Sequence, residues 1–259
     1  MEIPLLNVLA LYSLISFGLV SFEFQSALQV NRAVLLIIAL KSLIIFFSWI
    51  LGFLALRSLP ISIATPLDTL TPLFTIILGM IVLNERLGLY QVIGVWIILG
   101  AYYFIGKAGH KEIGGLLKNR YFYLMMGSAL LSATSALIDK FVLKMVKIGQ
   151  LQFWFCLFLT LLYVSSFIFF KVKNHDRRPL QFNYVILWMS IFLVISDRLY
   201  FYAVNAAASQ ISIILPVRRI SVLESSIGGG LLFKEKNMKA KFWSVCLVIA
   251  GVGILFIGK

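Results

Sequence analysis

Nine runs of mostly apolar residues, cut apart by short basic stretches, leave this chain few ways to fold. They lie near residues 5–24, 34–56, 61–83, 90–106, 122–143, 150–170, 184–205, 211–233 and 242–258. Each is close to the roughly 20 residues that carry a helix across a bilayer. Lipid offers no partner to a free N–H or C=O, and the runs lack the strict alternation of barrel strands, so helices are the consistent solution. Of 259 residues 61% are hydrophobic and 13% charged, with a mean hydropathy of +0.99, far from the balance of a domain with a watery exterior. The expected architecture is all-α, a polytopic membrane helical bundle of about nine transmembrane helices, multi-pass in the plasma or inner membrane. The first run, embedded among similar ones, does not read as a cleaved signal peptide.

The formal net charge of +13 would elsewhere suggest nucleic acid, but here the basic residues sit where membrane loops put them, and no nucleic-acid partner is expected. Loops on the amino-terminal side hold thirteen: Arg57, Lys107, Lys111, Lys118, Arg120, Lys171, Lys173, Arg177, Arg178, Lys234, Lys236, Lys239 and Lys241. The other side holds five: Arg32, Arg86, Lys144, Lys147 and Lys259. This bias places the amino terminus in the cytoplasm and, with nine spans, the carboxyl terminus outside. Cys156 and Cys246 fall inside predicted spans as small packing residues. His110 and His175 fall in basic loops. No metal site and no cofactor is expected.

Residues 62–86 align with 212–236 at a constant offset of 150. Ser62-Ile63 meets Ser212-Ile213, Pro66 meets Pro216, Gly79 meets Gly229, and Glu85-Arg86 meets Glu235-Lys236. Phe-Ile-Gly-Lys then closes both halves, at 104–107 and 256–259. Five spans separate the starts of the paired segments, so the copies cross the membrane in opposite directions. That is the inverted-topology repeat of secondary transporters. The expected organisation is a first repeat of four helices over 1–107, a basic connecting loop over 108–120, and a second repeat of five helices over 121–259.

These segments resemble the drug/metabolite transporter superfamily, specifically its EamA-type members with two five-helix repeats. The stretch FLALRSLPISIATPLDTLTPLFTIILGMIVLNERLGLYQVIGVWIILGAYYFIGK and its partner starting FYAVNAAASQISIILPVRRIS resemble the third to fifth helices of each repeat, and GSALLSATSALIDKFVLK resembles a first repeat helix. The first half has no counterpart of residues 122–143, so four spans plus five result. Either one helix is lost or Met1 lies downstream of the natural start. A ten-helix member would be expected to hold both termini in the cytoplasm, which is at odds with the charge count.

Ionisable residues inside spans point to a partner or a wet cavity, because a charge at the centre of a helix costs on the order of 2.5–3.5 kcal/mol on insertion scales. Asp68, Asp139, Lys140, Asp197, Arg198, Arg218, Arg219 and Glu224 all fall there. Snorkelling to the interface would account for Glu23, Lys41 and Lys140. At 100° per residue Thr65, Asp68, Thr71, Pro72, Thr75 and Gly79 share one stripe of the 61–83 helix. The equivalent stripe of the partner helix carries Arg218, Ser221, Ser225, Gly228 and Gly229, with Arg219 and Glu224 at its flanks. Asp68 and Arg218 are repeat-equivalent and opposite in charge, so they are expected to approach across the pseudo-twofold axis at a central polar site. Ser128, Ser132, Ser135 and Asp139 form a polar seam, whose serines read as close helix packing and whose aspartate reads equally as cavity lining. Glu85-Arg86 and Glu235-Lys236 read as helix-end charges at the interface.

The function this implies is a secondary transporter, gradient-driven or exchanging, that moves a small organic metabolite by alternating access. Its partners would be the lipid bilayer, the substrate, and protons or another coupling ion. Nothing in the sequence fixes the oligomeric state. Three arginines lean toward an anionic or amphoteric substrate and the aspartates toward an amine, while internal salt bridging competes with both. Glu224 or Asp68, in a semi-dry cavity, would couple transport to protons. No HExxH, GxSxG or P-loop is present, so an intramembrane enzyme and an ATP-driven pump lack their motifs. A non-transporting scaffold and a lipid-linked metabolite flippase are the alternatives.

Overall fold

The computed structural model describes residues 3–58, 70–107, 119–173, 182–206 and 209–218, with isolated helical positions at 243, 246, 247, 250, 251, 253 and 254. The rest of the 61–83, 211–233 and 242–258 runs lies outside the described residues. The described chain is helical, with no strand among the described residues. In order come α1 (Ile3–Val20), a 3-10 turn (Ser21–Glu23), α2 (Phe24–Ala27), α3 (Arg32–Ser58), α4 (Leu70–Val82), α5 (Leu89–Lys107), α6 (Arg120–Val142), α7 (Ile148–Lys173), α8 (Tyr184–Asn205) and α9 (Ile211–Arg218). Five helical stretches are long and apolar enough to cross a membrane: Leu5–Ala27, Arg32–Leu56, Arg120–Val142, Ile148–Lys173 and Tyr184–Asn205. Their outward side chains are large and apolar, including Leu36, Trp188, Phe192 and Leu199, each more than half exposed, as a lipid-facing surface requires. The protein is a polytopic helical membrane bundle.

Helix starts follow a local rule that the apolar pattern alone does not reveal. Asn31, Asn119 and Asn183 each stand just ahead of a helix. Their side-chain oxygens accept the backbone N–H of Ala33, Tyr121 and Val185, all at 3.0 Å. Each asparagine thereby satisfies one of the N–H groups that a first turn leaves without a partner.

The helices form two compact units, one from residues 1–46 and 138–207, the other from 47–137 and 208–259. In the first, α1 packs on α7 and α8, and α2 packs on α7. The first span was expected to end near residue 24. Instead the 3-10 turn tightens the chain and α2 carries the span to Ala27, where side chains of α7 donate to its last carbonyls. Gln150 Nε2 donates to Ser26 O at 2.8 Å and Trp154 Nε1 to Ala27 O at 2.9 Å. Thr160 Oγ1 donates to Ser13 O at 2.9 Å further along the same interface. Cys156 packs in an apolar cluster with Val20, Ala27 and Phe153.

In the second unit α3 and α6 meet along small residues. Ser48 Oγ lies 2.7 Å from Ser132 Oγ and donates to Ser128 O at 2.8 Å. Gly52 faces Ser128 so closely that a Cβ there would meet the hydroxyl at 2.9 Å, and Ala55 and Met125 are buried together. This contact is the small-residue packing expected of Ser128 and Ser132. α9 packs on α4 and α5.

Removing a capping side chain should weaken these helix starts. Asn119→Ala and Asn183→Ala are each expected to lower stability by about 1 kcal/mol, read as a reduced thermal midpoint of the purified protein, while glycine at the same positions should cost only a few tenths.

Candidate functional site

Charges in a bundle this apolar call for a partner, and three arrangements among the described residues show how that is met. The most deeply enclosed is Lys41 of α3 with Asp139 of α6, Nζ to Oδ1 2.6 Å, side chains 2% and 6% exposed. Lys41 was expected to snorkel. Nine residues of helix, roughly 14 Å at 1.5 Å per residue, separate it from Arg32 at the helix start, more than a lysine side chain spans. Its ammonium turns inward, 3.5 Å from the centroid of the Phe155 ring and 5.1 Å from that of Phe201. Four helices thus meet at one cation, α3 supplying it, α6 the carboxylate, and α7 and α8 the ring faces.

The second arrangement joins the 3-10 turn to α8. Arg198 donates from one terminal nitrogen to Glu23 Oε1 at 2.7 Å and from the other to Gln152 Oε1 at 3.2 Å. Glu23, expected at the interface by snorkelling, is held by this guanidinium and by Ser26 Oγ at 3.0 Å. Its carboxylate rests on the bare backbone of Gly149, where any side chain would overlap it. Arg198 also lines a groove of about 260 Å³ whose other walls include Val20, Phe22, Val194, Ile195 and Leu199. Those apolar walls suit hydrocarbon better than a hydrated metabolite.

The third replaces a sequence expectation. Glu85 was read as an interface charge, yet it is 9% exposed and caps another helix. Its Oε1 accepts Ile211 N–H at 2.8 Å, and its Oε2 accepts Ser212 N–H at 3.1 Å and Ser212 Oγ–H at 2.6 Å. Ile211 and Ser212 are fully buried, so the first N–H groups of α9 have no water to turn to, and a carboxylate also suits the positive end of the helix dipole. Local geometry aims it. Gly79 O accepts the N–H of both Leu83 and Glu85 at 3.1 Å, and Asn84 takes the left-handed turn at φ 52° that asparagine tolerates. A Cβ on Gly79 would meet Ser212 Oγ at 2.6 Å, so glycine is needed for the approach of α4 and α9. Gln210 Nε2 to Arg86 O at 2.9 Å completes the clamp.

Among the other residues singled out from sequence, Thr71 and Thr75 are buried on α4, and Thr75 Oγ1 bonds back to Thr71 O at 3.0 Å, within its own helix. Asp197 and Arg218 are half-buried. Thr65, Asp68, Arg219, Ser221, Glu224 and Ser225 lie outside the described residues, and with them the expected approach of Asp68 to Arg218. What sequence reasoning missed was the weight of Lys41, Glu23, Gln152 and Glu85. For Lys41 a signal was available, since Lys41, Ser48, Gly52 and Ala55 fall at helical spacing on one face of a helix rich in Leu, Ile and Phe.

Residues 3–107 match the model of the EamA-like transporter family. No curated protein matches the chain. Among solved structures, one described as "Crystal structure of protein" superposes with a TM-score of 0.74 over 97% of this chain and 88% of that chain, at 15% sequence identity. At that identity the likeness speaks for the fold.

Gly149→Ala should drive a methyl group into the Glu23 carboxylate and part it from Arg198. The expected outcome is a thermal midpoint lowered about as much as by Glu23→Gln, with little further loss when the two are combined, since both act on one contact.

Proposed function

We propose, from the match of residues 3–107 to the model of the EamA-like transporter family, that this chain is a secondary carrier of a small organic metabolite in the plasma or inner membrane. It exchanges its substrate or follows a gradient, and residues 1–107 and 121–259 act as two repeats that open alternately to the two sides. A membrane transporter of small molecules is the function that the family match supports.

The observation that carries the finer reading is the Lys41–Asp139 pair. A buried ion pair is a poor stabiliser, because desolvating two charges offsets most of their attraction, and apolar residues of like volume often do as well. An ionisable pair retained inside a membrane bundle therefore points to a task beyond holding the fold. Lys41 lies before the 108–120 connection and Asp139 after it, so the pair ties together segments far apart in sequence within one compact unit. Glu23–Arg198 and Glu85–Ser212 likewise join residues below 108 to residues above 120. Such contacts supply discrete states that a bound substrate can trade against.

Single and double substitutions separate a carrier role from a structural strut. Lys41→Met and Asp139→Leu alone leave one buried charge without its partner and are expected to lower stability by on the order of 3–5 kcal/mol. The double variant is expected to recover most of that loss and still show no counterflow in proteoliposomes tested with pooled radiolabelled amino acids, sugars and carboxylates. A folded double variant with the flux of the unaltered protein would make the pair a strut and remove its role in transport.

A further inference from the structure

Resting on the carrier reading above, we propose that Phe155, Phe201 and Asp139 form a binding site for a primary ammonium group, that Lys41 is its tethered occupant, and that the substrate is an ammonium-bearing metabolite that takes Lys41's place. An ammonium presents three N–H donors. A lysine held only for packing would satisfy them with carbonyls or carboxylates, whereas this one combines a single carboxylate oxygen at 2.6 Å with ring faces at 3.5 and 5.1 Å. Carboxylate plus aromatic faces is the chemistry that recognises alkylammonium ligands, because the ring quadrupole attracts the cation without the directional demands of an acceptor. The walls are already in place: Phe155 is 7% exposed, Phe201 2% and Asp139 4%. They come from three helices, so the site does not depend on the lysine's own helix for its shape. Lysine suits the occupant's part because its ammonium is compact and sits on a flexible four-carbon stem that can swing aside, which a planar guanidinium would do less readily. An anionic substrate would instead have to displace Asp139 from Lys41 and lie against two ring faces that repel it.

The decisive probe is n-propylammonium chloride. Lys41→Ala deletes three carbons and the nitrogen, the same atoms that n-propylammonium contains. The full-length variant in nanodiscs is expected to gain thermal stability saturably with n-propylammonium, recovering most of the midpoint lost to the substitution. Sodium chloride at equal ionic strength should give no such gain, and methylammonium and n-pentylammonium a smaller one. Lys41→Met, which refills the space without charge, and the Lys41→Ala/Asp139→Asn double variant should not respond. If Lys41→Ala is recovered folded only when n-propylammonium is present during purification, that also supports the site. A Lys41→Ala protein that folds and ignores the amine, or stays unfolded at every amine concentration, overturns it. For the substrate, alanine and lactate share a carbon skeleton and differ in ammonium against hydroxyl, as do alaninamide and lactamide. Counterflow by the unaltered protein is expected for the ammonium-bearing member of such pairs. Exchange of only the hydroxyl members overturns the substrate assignment and leaves the carrier reading intact. Absence of exchange across all classes, with the n-propylammonium response present, removes the carrier reading and leaves the ammonium site standing.

Discussion

In this chain most polar groups that leave water find a replacement inside the protein, and those contacts fix which helices meet. Hydrophobic matching to lipid places helices in a membrane but says little about which helix meets which, since lipid tails are as apolar as leucine. The pairing information sits in a small set of polar contacts. Gln150, Trp154 and Thr160 of α7 donate to carbonyls of α1 and α2, Gln152 Nε2 donates to Val194 O of α8 at 2.9 Å, and Ser48 of α3 bonds Ser128 and Ser132 of α6. Each is modest in net worth, but a wrong pairing would leave a buried donor or carbonyl alone, which is far more costly.

Seen against the sequence repeat, these contacts mostly join the two halves. Each compact unit is built from both sides of the 108–120 connection, residues 1–46 with 138–207 and 47–137 with 208–259. Each side of that connection thus supplies partners to residues on the other. The polar contacts differ in how completely they are closed off. Lys41 and Asp139 are sealed, whereas Arg198 is 27% exposed at its side chain, beside an apolar groove. A charge so exposed contributes less to stability than its short distance suggests, because solvent and headgroups screen it.

Much of this was legible in the sequence, and the limits have physical causes. The span at 184–205 coincides with α8, and those at 34–56, 122–143 and 150–170 fall within two or three residues of α3, α6 and α7, because length and hydropathy report directly on helix extent in lipid. The serine seam was read as packing, and Ser128 and Ser132 pack against Ser48. Partner choice was harder to see. Glu85 beside Arg86 has the pattern of an interfacial pair, and only the buried start of α9, more than a hundred residues away, makes it a cap. Lys41, nine residues into a helix, resembles a snorkelling lysine until Asp139 and two phenylalanines are found around it. Local periodicity can show which face of a helix carries such a residue but not which distant residue meets it, and intramembrane charges were the sequence class that pointed toward these contacts.

The turn after α4 has a consequence for how this molecule can be handled. Gly79, Asn84 and Glu85 act as a ruler: two N–H groups converge on one carbonyl, one left-handed residue reverses the path, and the carboxylate arrives at Ile211 and Ser212. Surface loops ordinarily accept extra residues with little penalty. Here a single inserted residue would carry the carboxylate out of reach and strand the start of α9, so residues 83–88 are the wrong place for an epitope, a protease site or a fluorescent fusion, however short and exposed the loop looks on paper.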